Sequence, residues 1–240
     1  MSHPERIVPD ATSPGIVALH LKRYQFAAPW CRDAEVLDAG CGVGYGSAFL
    51  GEVARRVVGV DRDASAIAYA RERYARPNVE FLVGDVLELA FADASFDVVC
   101  SFETIEHVDD VDALLAETAR VLRPGGVFVA STPRADKTTA SPANPFHRME
   151  LAPADFEALL RRFFGDVELH GQRRLQTTRH RLMQRLDVLG LRRRLPRSRR
   201  VSRLLGTPPM ADVTSDGIVI ERGGLERASE LVAACRRPRQ

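Results

Sequence analysis

The sequence predicts an α/β protein built on a mostly parallel sheet, and three observations carry that expectation. Two β-branched, aliphatic runs each end in an acid: Val36-Leu37-Asp38 and Val57-Val58-Gly59-Val60-Asp61. Between them glycine stands at every second position (Gly40, Gly42, Gly44, Gly46), ahead of a helical pattern that starts at Ser47. Further on, strand-like and helix-like segments keep alternating, as parallel strands joined by crossovers require.

Taken in order, Ile16 to Ala28 has the spacing of an amphipathic helix that Pro29 should end. Strands are expected near 35–39, 56–60, 79–83, 96–101 and 126–131, with helices near 46–54, 64–75, 111–121 and 154–163. Asp109 or Asp110 can cap the helix Val111–Val121, whose Val111, Leu114, Leu115, Thr118 and Leu122 form an inward stripe. Asp166–Gln172 reads as a sixth strand and Glu230–Arg236 as a seventh. The organisation expected is therefore an N-terminal cap helix (1–34), a ligand-binding core (35–172), an Arg-rich insertion or lid (173–229), and a final strand with its tail (230–240). A connection of about 57 residues usually marks function or a subdomain.

The chain of 240 residues suits one α/β domain with an elaboration. No apolar stretch approaches the ~20 residues of a membrane span. The start, Met-Ser-His-Pro-Glu-Arg, lacks the charged-then-apolar pattern of a signal peptide. Cys31, Cys41, Cys100 and Cys235 form no CxxC pair, so reduced thiols in a cytoplasmic protein are expected. The net charge of +2 conceals a split: residues 1–170 carry 17 Lys and Arg against 26 acids, and residues 171–240 carry 17 Arg against 6 acids. In the insertion, Leu182, Leu186 and Leu189 share a helical face that Pro196 ends, and an arginine run spans 192–203. It reads as a solvated lid, as a dock for an anionic acceptor (a nucleotide-sugar, or a lipid phosphate at a membrane surface), or as a nucleic-acid contact. Aromatic residues are absent from 173–229, which leaves base stacking nothing to use and counts against nucleic acid.

The glycine turn sets the ligand class. Glycine has no Cβ, so such a turn takes positive φ and lets a ligand lie against the backbone, with the free N–H groups of the next helix facing it. Asp61 follows Asp38 by 23 residues, about the distance at which a carboxylate takes the ribose hydroxyls of a nucleotide cofactor. A dinucleotide fingerprint needs a third small residue three places after its second glycine. Tyr45 occupies that place counting from Gly40, and Ser47 counting from Gly42.

The Asp-x-Gly-x-Gly-x-Gly form instead resembles motif I of the class I S-adenosylmethionine (SAM) methyltransferases. The resemblance continues through Asp61, Gly84-Asp85-Val86, Phe96-Asp97-Val98-Val99-Cys100 and Leu122-Arg123-Pro124-Gly125-Gly126. It implies a Rossmann-like seven-stranded sheet in the order 3-2-1-4-5-7-6, strand 7 antiparallel, with the basic helical insertion between strands 6 and 7. It also implies SAM as cofactor: Asp38, Gly40, Gly42 and Gly44 at the methionine part, Asp61 at the ribose, Asp85 and Val86 at the adenine, and Ser101 and Phe102 at the amino-acid moiety. Arg23 or Tyr24 could close over the carboxylate, or both could be ordinary surface residues.

The fourth strand runs into Ser101-Phe102-Glu103-Thr104-Ile105-Glu106-His107. If helical, this segment puts Glu103, Glu106 and His107 on one face. Two carboxylates and an imidazole converging there are costly unless something positive joins them, and oxygen ligands with imidazole suit cations from Mg²⁺ through Mn²⁺ to Zn²⁺. The ExxEH pattern, with His147 in Asn144-Pro145-Phe146-His147-Arg148-Met149-Glu150, resembles the ubiquinone-biosynthesis and small-RNA 2′-O-methyltransferases. A related Asn-Pro-Phe-His segment occurs in bacterial sugar and polysaccharide-associated methyltransferases. The resemblance implies a divalent cation (Mg²⁺ or Mn²⁺, or Zn²⁺) on Glu103, Glu106, His107 and His147 as the catalytic group. Two other readings stay open: His107 as a general base without metal, and a structural role for the cluster. The expected activity is O-methylation of a small-molecule hydroxyl, on a sugar or glycoconjugate. The alternatives are a quinone precursor, methylated at O or C, and an RNA 2′-hydroxyl.

Overall fold

The computed structural model describes residues 6–175, 210 and 213–238. Its elements run α1 (Pro14–Cys31), β1 (Glu35–Ala39), α2 (Tyr45–Leu50), β2 (Arg56–Asp61), α3 (Ala64–Tyr74), β3 (Val79–Val83), β4 (Phe96–Phe102), α4 (Val111–Val121), β5 (Leu122–Pro133), α5 (Pro153–Arg161), β6 (Phe164–Arg174), β7 (Ile218–Arg222) and β8 (Glu230–Pro238). The strands form one sheet in the order β3-β2-β1-β4-β5-β8-β6-β7. β1 to β5 pair in parallel, and β8 lies antiparallel between β5 and β6.

Alternation along the strands builds two cores, one on each face of the sheet. Val36 and Val57 point to the face covered by α1 and α3, where Ala27, Cys31, Ile67 and Ala70 meet them. Leu37 and Val58 point to the opposite face, among Leu114 and Leu115 of α4 and Phe156 and Leu160 of α5. A two-residue period on a sheet covered on both sides requires this division. Leu114 and Leu115 are fully buried, and truncating either to Ala should cost about 2–5 kcal/mol. The Asp110 side chain caps α4 by accepting from the Ala113 N–H at 2.9 Å.

Two expectations need correction. The sheet has eight strands rather than seven, because Ile218-Val219-Ile220-Glu221-Arg222 adds an antiparallel edge strand to β6, with Gln172 opposite Ile220. That strand falls within the segment expected to be a helical insertion. Its β-branched run, closed off by Gly223-Gly224, is what pairs. Pro29, expected to end α1, lies inside it. It gives up the amide bond to the carbonyl four residues back, and the last turn is held instead by Ala27 and Cys31, both buried against the sheet. All four cysteines are buried free thiols. No helix among the described residues is long and apolar enough to cross a membrane. The Arg-rich stretch 192–203 and the Leu182–Leu189 face lie outside the described residues.

Candidate active site

The carboxyl ends of β1, β2 and β4 open onto a pocket of about 360 Å³, where ligands sit in open α/β sheets. The turn after β1 forms its floor. Gly42 has φ +55°, and a Cβ built on it would meet nothing within 4 Å. The space a side chain would fill is thus left open at the pocket wall, a cradle that fits a cofactor laid against the backbone. The Gly42 N–H donates to Asp61 Oδ2 at 2.9 Å, and the Asp63 N–H donates to Asp61 Oδ1 at 2.9 Å. Each carboxylate oxygen keeps a second lone pair for a ribose hydroxyl.

Of the residues expected around the cofactor, Gly40, Gly42, Asp61, Asp85, Val86 and Phe102 line this pocket, whereas Asp38, Gly44 and Ser101 do not. Asp38 is fully buried, accepts from Ser47 Oγ at 2.6 Å, and faces the Tyr24 hydroxyl at 3.3 and 3.4 Å. Burial pushes its carboxyl up to about 7 against the pull of those two donors. The acid that leads the motif therefore ties α1 and α2 together beneath the turn. Gly44 packs inward, where a Cβ would strike Phe81 and Ala70.

α1 contributes more than its sequence suggested. Tyr24 and His20, one turn apart, both line the pocket. Arg23, with an ordinary surface role as one expectation, is 1% exposed. Its Nε donates to Gln172 Oε1 at 2.9 Å, and its Nη2 stands 3.6 Å from Glu103 and 3.7 Å from Glu230. A buried arginine needs such partners, and they come from β6, the end of β4 and β8. Burial, then the Arg23 charge, lowers the His20 pKa.

The acid–histidine segment is not an α-helix. Glu103 takes φ +51°, and only a single turn of helix, Ile105–His107, follows it. This backbone turns Glu103 away from its expected companions: it accepts from Ser131 Oγ at 2.8 Å and faces Arg23. Glu106, His107 and His147 do converge, with one ligand atom from each within 4.8 Å of the others. The His107 and His147 rings stand 5.0 Å apart. The Arg148 N–H donates to the Glu106 carbonyl at 2.7 Å, pinning the Asn-Pro-Phe-His loop beside the turn. Glu106 is 1% exposed and accepts from Thr132 Oγ1 at 3.1 Å. Burial, then the Glu103 charge, holds its carboxyl above the ordinary range. His107 lines the pocket, which brings the cluster to its edge.

A methyltransferase-domain family model matches residues 37–130. Over 186 residues, 70% of this chain and 71% of the other, the sequence is 41% identical to a probable S-adenosylmethionine-dependent methyltransferase of Mycolicibacterium smegmatis. The chain belongs to the SAM-dependent methyltransferases. A Mycobacterium tuberculosis relative is 42% identical over 65% of this chain and 58% of its own length. A solved SAM-dependent methyltransferase of Thermotoga maritima superposes with a TM-score of 0.63 at 16% identity, covering 95% of this chain and 94% of that one, and shares the fold.

For a methyltransferase this arrangement supplies two things. The turn, Asp61 and the Asp85–Val86 wall suit the cofactor. One carboxylate with two imidazoles beside it is a donor set that fits Zn²⁺ or Mn²⁺ better than Mg²⁺, which prefers oxygen ligands and retained water.

Proposed function

We propose that this methyltransferase transfers a methyl group to a hydroxyl of a small molecule, a sugar or glycoconjugate, with a nitrogen-accepting divalent cation on Glu106, His107 and His147. The observation that carries the reading is the convergence of these three side chains at the edge of the cofactor pocket. SAM bound there supplies a methyl group on a sulfonium, already electrophilic. The protein's task is then to align the nucleophile and exclude water. An alcohol attacks poorly until it loses its proton, and Glu106, His107 and His147 would hold a cation whose Lewis acidity would make that proton easier to lose. Glu103 lines the same pocket apart from these three, held by Ser131 and Arg23. Tyr24 and Phe102, in edge-to-face contact at 4.8 Å, wall the same space against water. The polar groups facing it, among them His20, Tyr45 and Asp109, favour a hydroxyl-rich acceptor. The arginines at 192–203 favour one that carries a phosphate.

The test is transfer of labelled methyl from SAM into a panel of reducing sugars, nucleotide-sugars, phenols and fatty acids. The reading expects label in a base-stable ether on a hydroxylated acceptor. Label released by mild base as methanol would mark a carboxyl acceptor and overturn it.

A further inference from the structure

Hydrogen bonds in the loop before α5 determine more about the histidines than their convergence does. The Phe146 N–H donates to Asn144 Oδ1 at 3.1 Å. A backbone amide only donates, so the Asn144 oxygen is the atom that faces it, and the amide nitrogen points the other way. That Nδ2 lies 2.9 Å from His147 Nε2. An amide nitrogen also only donates, so His147 Nε2 carries the lone pair and Nδ1 carries the proton. His147 Nδ1 meets Glu150 Oε1 at 2.8 Å, an acceptor that this proton satisfies. The same loop treats His107 alike: its Nδ1 stands 3.0 Å from the Phe146 carbonyl oxygen, which accepts only. Four groups within seven residues thus agree on one proton arrangement.

We propose that the Asn144–Glu150 loop fixes both histidines as Nδ1–H tautomers, with Glu150 as the positioning residue that orients His147 and makes its Nε2 a stronger ligand. For its purpose this rests on the cation site proposed above. A carboxylate behind a ligating imidazole fixes the ring and raises its basicity. Asn144 donates to His147 Nε2 in the structure and has to yield that lone pair when a cation enters.

The experiment is nitrogen NMR of the full-length protein labelled in histidine, with His107→Gln and His147→Gln used to assign the signals. Both rings should show protonated Nδ1 and unprotonated Nε2. In Glu150→Ala the His147 pattern should change while that of His107 stays. Glu150→Gln, which keeps an acceptor oxygen, should retain the pattern and guards against misfolding of the alanine variant. Zn²⁺ titration of the same samples should show about 10–100-fold weaker binding in Glu150→Ala than in the parent. Parent protein with His147 protonated at Nε2, or a Glu150→Ala variant with unchanged ring pattern and Zn²⁺ affinity, would overturn the inference. A parent that shows the tautomers but takes up no Zn²⁺ would sink the cation site and leave the tautomer assignment standing.

Discussion

The Gly42 amide donates to Asp61 Oδ2 at 2.9 Å, which makes the glycine turn after β1 and the acid that ends β2 one unit. Removing the carboxylate should therefore act twice, on the ribose contact expected of Asp61 and on the shape of the turn. Hydrogen bonds to a charged group are worth about 1.5–3 kcal/mol. Asp61→Ala should weaken SAM binding roughly tenfold or more, read by calorimetry on folded protein. Unchanged affinity would reject the assignment.

Burial raises the Asp38 carboxyl from its ordinary 3.8 to about 7 in the fold. Between those values the folded state holds a proton that the unfolded chain has lost. The group thus favours the fold most below about pH 4 and progressively less as pH rises to about 7. Asp38→Asn removes this titration, so the fall in Tm across that window should shrink in the variant. Parallel Tm profiles for variant and parent would show that Asp38 is not held protonated.

Gly46 faces the Tyr24 ring, and a Cβ there would lie 1.9 Å from Tyr24 Cζ. Gly46→Ala has to push α1 from α2, with a cost in the range of about 1–3 kcal/mol for overpacking. Chemical denaturation should register that loss, and SAM affinity should fall with it because Tyr24 lines the pocket. Parent-like stability would mean that the two helices can separate freely.

The arginine run at 192–203 carries its own prediction. Changing Arg192, Arg193 and Arg194 to Glu should raise KM for an anionic acceptor and leave SAM affinity alone. Added salt should mimic the change on the parent, since salt screens attraction between charges beyond about a Debye length. Equal kinetics at low salt would leave the segment as a lid.

What could be read from the sequence was whatever a local pattern dictates. The glycine turn was legible because backbone conformation demands Gly40, Gly42 and Gly44, all at positive φ. Helix α4 was legible to the residue because Asp110 caps it and Leu114, Leu115 and Thr118 repeat at its period. Strand β7 was missed because three β-branched residues inside a long connection look like any loop until β6 offers them an edge. The burial of Arg23 was equally hidden. Its partners Glu103, Gln172 and Glu230 stand 80 to 207 positions away in the chain. Helical spacing alone would put Glu103, Glu106 and His107 on one face, and the left-handed backbone at Glu103 divides them. Asn144 and Glu150 stand three residues either side of His147 in the sequence, yet only folded geometry shows both meeting its ring.

The central claim is that a cation on Glu106, His107 and His147 activates the acceptor hydroxyl. The direct measurement is methyl transfer to the hydroxyl acceptor after exhaustive chelation, with SAM binding followed by calorimetry in the same sample. The account predicts that turnover is lost while SAM still binds, and that Mn²⁺ or Zn²⁺ restores it in the parent but not in His147→Ala. Full turnover in the presence of the chelator would contradict it.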